Sequence, residues 1–144
     1  VDQEQQGIGM ADADHVARTM PGDVVVLTIP AAGAYLSVLR TATAGLAARL
    51  DFTLDEIEDL RIAVDEACGM LLPGTDPEAE LRCCFTLDDD RIGVEVSVPA
   101  TSRAAPSRDT FAWTVLSALA GEVDTDSSHG RVAIRLVKRR GRST

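Results

Sequence analysis

The chain has 144 residues, 45% apolar and only 3% aromatic, which suits one domain with a core of Val, Leu, Ile and Ala. Its formal net charge is −9, from 23 acidic and 14 basic side chains. That argues against sequence-independent nucleic-acid binding, which needs cations to displace counterions, and suits a basic protein partner or simple solubility.

Three cysteines, Cys68, Cys83 and Cys84, form an odd set with no metal-ligand spacing. With no secretory signal read before them, a reducing cytoplasm is expected. No apolar run reaches the roughly 20 residues that span a bilayer, so no membrane segment is expected.

Residues 1–22 are polar and aperiodic and are expected to be a disordered or tag-derived tail. The run Val24-Val25-Val26-Leu27-Thr28-Ile29, closed by Pro30, predicts a strand. From about 32 to 50, Leu36, Leu39, Thr43, Leu46 and Leu50 recur at three- and four-residue spacings and predict a helix with one buried stripe.

A second helix begins at Thr53. Its hydroxyl can accept from the Glu56 amide while Glu56 reaches back, a capping box, and Phe52 and Ile57 occupy the hydrophobic-staple positions. Asp55 and Glu56 complement the positive end of its dipole. Its stripe runs Ile57, Leu60, Val64, Ala67 or Cys68, and Leu71, and Pro73-Gly74 ends it.

Two strands over 81–87 and 92–98 follow, joined by Asp88-Asp89-Asp90-Arg91, and the alternation of Ile92, Val94, Val96 and Val98 marks one buried face. A Ser/Ala/Arg/Pro loop over 99–108 leads to a third helix from 109 or 110 to 120. A short strand near Val123, a turn at Asp126-Ser127-Ser128-His129-Gly130 and a last strand over 132–137 complete the domain. Lys138-Arg139-Arg140 reads as frayed, so the domain is placed at 23–138 with a basic tail at 139–144. The order predicts an α+β two-layer sandwich: a mixed β-sheet with helices on one face.

The run Leu60-Arg61-Ile62-Ala63-Val64-Asp65-Glu66-Ala67, set in this element order, resembles the signature helix of the GHKL (Bergerat-type) ATPase/kinase fold. More narrowly the chain is similar, over about 24–138, to anti-sigma factors of the serine-kinase type, which sequester stress or sporulation sigma factors.

The resemblance implies that Glu66 matches the catalytic base. Four residues on, where the family places a magnesium-holding Asn, stands Met70, a thioether unsuited to a hard cation. The family's Asp-x-Gly-x-Gly adenine motif falls at Ala100, Ser102 and Ala104, none of which matches, and Ala100 cannot accept from an adenine amine. The lid glycines correspond to Thr110-Phe111-Ala112-Trp113, where Phe111 is expected to fill phosphate space. Trp113 is a core anchor or a stacking surface. The last turn keeps only Gly130 of a Gly-Thr-Thr-like motif. No metal or cofactor residue is therefore assigned, and ATP with magnesium is disfavoured.

The function implied is an anti-sigma factor that binds an alternative sigma factor and blocks its assembly with core polymerase. It would be released by an anti-anti-sigma protein and would form a homodimer through the first helix and strand. Arg40, Asp55, Glu58 and Asp59 are the candidate partner contacts, each also readable as a solvated surface residue. The alternative is an active ATP-dependent serine/threonine kinase phosphorylating the antagonist, with Glu66 as base; without its Asn partner, Glu66 also reads as a solvated helix carboxylate.

Overall fold

A computed structural model describes residues 22–100 and 106–141. Residues 1–21 of the tail expected at 1–22, and positions Ser102 and Ala104, lie outside the described residues.

The elements are β1 (Asp23–Pro30), one 3-10 turn (Gly33–Tyr35), α1 (Leu36–Arg49), α2 (Leu54–Leu71), β2 (Glu80–Leu87), β3 (Arg91–Pro99), α3 (Phe111–Ala120), β4 (Glu122–Ser128) and β5 (Arg131–Arg139). The strands form a single sheet in the order β1-β2-β3-β5-β4. The α+β sandwich is as expected, but the sheet is antiparallel at every pairing rather than mixed. The reason is topological. Two helices separate β1 from β2, so the chain returns antiparallel beside its start. The β3-α3-β4 crossover does produce parallel strands, but β5 inserts between them and runs against both.

Alternation divides the sheet cleanly. Leu81, Cys83, Phe85 and Leu87 of β2, Ile92, Val94, Val96 and Val98 of β3, and Val132, Ile134 and Leu136 of β5 are buried towards the helices. Their opposite numbers, including Arg82, Glu95 and Arg135, stand on the open face. Against the inner face α2 contributes Leu60, Ala63, Val64, Ala67, Cys68 and Leu71, each at most 1% exposed. Burying one Leu or Val of this kind contributes about 1.5–3 kcal/mol, so this stripe fixes α2 as the central helix. Both reciprocal bonds of the capping box form: the Glu56 amide donates to Thr53 Oγ1 (3.1 Å) and the Thr53 amide donates to Glu56 Oε1 (2.8 Å). In α1 the buried positions are Leu39, Thr43 and Ala47, and Thr43 satisfies its hydroxyl by donating to the Leu39 carbonyl (2.8 Å).

The C-terminal half departs most from expectation. β4 extends through Ser128, and the turn into β5 is only His129-Gly130. Both residues have positive φ, 54° and 73°, as a two-residue hairpin turn of the primed kind requires. The basic end is not frayed up to Gly141. Lys138 and Arg139 belong to β5, and the Lys138 ammonium donates to the Leu119 carbonyl (2.8 Å). The Arg140 amide donates to Asp90 O (2.7 Å), its guanidinium donates to Leu50 O (2.9 Å), and the Gly141 amide donates to Glu56 Oε2. These residues strap the α1–α2 junction to the β2–β3 hairpin, because the guanidinium supplies a donor to a helix-end carbonyl that the helix itself cannot satisfy.

Candidate functional site

Two surfaces flank α2. On one flank α2 meets α1. Arg40 Nε donates to both carboxylate oxygens of Asp65 at 2.9 Å. Both side chains are more than a third exposed, so the pair adds at most about 1 kcal/mol and mainly sets orientation. One turn earlier on α2, Arg61 donates to Glu58 (2.7 Å). Arg40, Thr41, Ala44, Gly45 and Arg61 line a groove of about 420 Å³ between the helices. Val38, one turn before Thr41, and Ile62, beside Arg61, are 47% and 39% exposed. This flank therefore combines two cations, small residues and apolar surface.

The other flank meets α3 and β5. Lys138 Nζ lies 3.7 Å from Asp59 and donates to Leu119 O near the end of α3. The C-terminal end of α3 thus sits beside the start of α2, and the two helices run antiparallel. Glu66 follows Asp59 by seven residues, two helical turns, and so faces the same side. The start of α3, with Phe111 and Trp113, lies towards this end of α2. Among the described residues no hydrogen bond or ion pair engages Glu66.

Glu66, the expected base, thus has a position, and the positions expected to accompany it are Met70 and Ala100. Met70 is half-buried against the hydrophobic core, where its thioether packs. Ala100 also packs against the core, and its amide is used by the Gly130 carbonyl (2.8 Å). Among the described residues no group of three His, Cys, Asp or Glu side chains converges on a metal-sized point.

One expectation for this region is corrected: Phe111 is 83% exposed and does not fill the cleft. It is the first residue of α3, where the Thr110 hydroxyl accepts from the Trp113 amide (3.1 Å), and the first turn projects it outward. Trp113 is the core anchor, partly buried, with the Arg108 guanidinium 5.1 Å above its ring.

The four expected partner contacts do not form one patch of free charge. Asp55 is exposed, Glu58 is engaged by Arg61, Asp59 faces Lys138, and Arg40 is held by Asp65. Sequence reasoning did not foresee their partners Asp65, Arg61 and Lys138. Arg61 carried a usable signal, three residues after Glu58; the other two pairings join residues 25 and 79 positions apart (65 − 40 and 138 − 59) and leave no local trace.

No family model matches the chain. It is 34% identical over 127 residues, 87% of its length, to the anti-sigma-F factor RsbW of Mycobacterium tuberculosis H37Rv, of which the match covers 76%. It is 36% identical over 78 residues, 52% of the chain and 49% of the relative, to the serine-protein kinase RsbW of Bacillus subtilis. The fold matches a crystal structure of the RsbU and RsbW domains of Rv1364c from Mycobacterium tuberculosis with a TM-score of 0.66, covering 84% of this chain and 33% of that one. At 16% identity that likeness concerns the fold alone.

Proposed function

The chain belongs to the RsbW family of anti-sigma factors, and from that premise we propose that it sequesters an alternative sigma factor by direct binding and is released by an anti-anti-sigma protein. The single observation that carries this reading is the match to an anti-sigma-F factor over 127 residues, which spans both helices of the α1–α2 face. That face is the docking surface. Arg40 and Arg61 border the groove, Val38 and Ile62 supply apolar area, and Asp55 and Glu58 offer carboxylates to a partner rich in Lys and Arg. Asp59, turned towards Lys138, stands at the rim. Inhibition is occlusion: surface that sigma needs for core polymerase is covered while the complex lasts.

The protein acts in the cytoplasm, where its three thiols stay reduced. It works as a homodimer through the edge strand β1, whose Val24, Val25 and Val26 are exposed. Nucleotide chemistry is not required for its grip, because the donor set beside Glu66 lacks an oxygen ligand at position 70.

A second reading, an ATP-dependent serine/threonine kinase acting on the antagonist, is favoured by one observation: Glu66 is retained on the α3-facing flank without an intramolecular partner among the described residues. Two measurements decide. Co-purification from native extract should recover a sigma factor, and its absence defeats the sequestering reading. Titration calorimetry with Mg-ATP should show no saturable heat, whereas a micromolar isotherm with phosphate transfer to the antagonist establishes the kinase.

A further inference from the structure

The sheet face opposite the helices carries a cavity of about 330 Å³. Its floor is small: Cys84, Ser97 and Ala133. Arg82 stands opposite Ser97 and Ser97 opposite Ala133, so a row crosses β2, β3 and β5. Arg131 and Arg135, two residues either side of Ala133, project from the same face.

The charges in this cavity are not equally satisfied. Arg135 is consumed by Glu95 at 2.9 Å and Asp126 at 3.6 Å. Arg131 is held just as firmly but by neutral acceptors: Nε donates to Ser97 Oγ (3.0 Å), and Nη2 donates to the carbonyls of Ser97 (2.9 Å) and Glu80 (3.0 Å). Those bonds fix the plane of its guanidinium, and among the described residues no carboxylate compensates its charge. Arg82 is exposed and has no carboxylate partner among the described residues. Three guanidinium groups thus face two carboxylates, with His129 at the margin, in a chain whose overall charge is −9.

We infer that this cavity binds a small hydrophilic phosphomonoester, a polyol phosphate. Two uncompensated guanidinium groups, one of them pre-oriented, suit a phosphate dianion. Glu95 and Asp126 keep acceptor capacity for neighbouring hydroxyls. The described lining contains no Phe, Tyr or Trp, so it offers no large aromatic face to a nucleobase or sugar ring. The volume lies within the range of small-molecule sites, about 300–1,000 Å³. The cavity shares no residue with either flank of α2 and does not depend on the sigma-binding reading.

The test is an amide NMR titration of the full chain at constant ionic strength with glycerol 1-phosphate, inorganic phosphate and glycerol as separate ligands. Glycerol 1-phosphate should shift the Ser97, Ser128 and His129 amides saturably and more tightly than inorganic phosphate, while glycerol leaves them in place. Arg82→Gln should weaken binding about tenfold or more, the effect of losing one charge-assisted bond. Arg61→Gln, in the α1–α2 groove, should not alter it. Non-saturable shifts, unchanged affinity in Arg82→Gln, or an equal loss in Arg61→Gln would overturn the site, and equal affinity for inorganic phosphate would overturn the polyol assignment.

Discussion

Cys83 and Cys84 are adjacent in sequence and chemically unlike. Strand alternation turns Cys83 into the core, at 0% exposure, and leaves Cys84 on the open face. Cys68 approaches the same core from α2, also at 0% exposure. Burial pushes the Cys68 thiol up to about 12, with the Asp65 carboxylate adding to the shift and Arg40 opposing it. Cys83 is pushed up further, again chiefly by burial. A raised thiol pKa keeps the unreactive protonated form, so both should be inert at mildly alkaline pH. Titration of the native protein with a thiol-disulfide reagent at about pH 8 should show one fast thiol, Cys84, and all three only after denaturation. Three fast thiols in the native state would contradict this packing. That this pair faces opposite sides was readable from alternation alone; helical spacing left Ala67 or Cys68 as the inward residue of α2, and both are buried. The bond between Arg40 and Asp65 was not, because nothing local distinguishes an arginine that reaches a neighbouring helix from one that reaches solvent.

At the scale of elements, the start of α2 is where sequence reading succeeded most completely and also where it stopped short. Thr53, Glu56 and the staple residues are a local signature, and both capping bonds are present. The second use of Glu56 has no such signature, because Gly141 arrives from the far end of the chain. Slight burial opposes ionisation of Glu56, but the Thr53 and Gly141 amides, the Thr53 hydroxyl and Lys138 outweigh it and hold the carboxyl below its usual value. A carboxyl with a depressed folded pKa adds stability above its unfolded pKa and loses it as pH falls through the folded pKa. Urea midpoints should therefore fall more steeply for the native sequence than for Glu56→Gln between about pH 5 and pH 3. Parallel acid limbs would show that the strap does not sense this carboxylate. Thr53→Ala removes the reciprocal bond and should cost about 1 kcal/mol at neutral pH, a fall of roughly 3–6 °C in Tm. The misjudged basic end has the same origin as the missed strap. Lys138, Arg139 and Arg140 look like a solvated charge run, yet β5 carries Lys138 and Arg140 to carbonyls at the ends of α3 and α1, while Arg139 meets the Glu122 carboxylate.

On the scale of the whole molecule the two edges of the sheet differ. Edge strand β4 places Glu122, Asp124 and Asp126 on the open face, the kind of charge that discourages strand addition. Edge strand β1 carries no charge from Val24 to Pro30, and Val24 and Val26 on its open-face side are 58% and 47% exposed. An uncharged, apolar edge of this length is a template for another strand, and the matching strand of a second copy would extend the sheet across a twofold axis. Sedimentation velocity at tens of micromolar should therefore give a dimer. The double variant Val24→Lys and Val26→Lys should sediment as a monomer while keeping its far-ultraviolet circular dichroism, because those side chains point away from the core. A monomeric native protein, or a double variant that still dimerises, would move the interface away from β1. Separate retention of sigma binding by the monomeric variant would then show that one α1–α2 face suffices for the grip, whereas joint loss would place sigma across both copies.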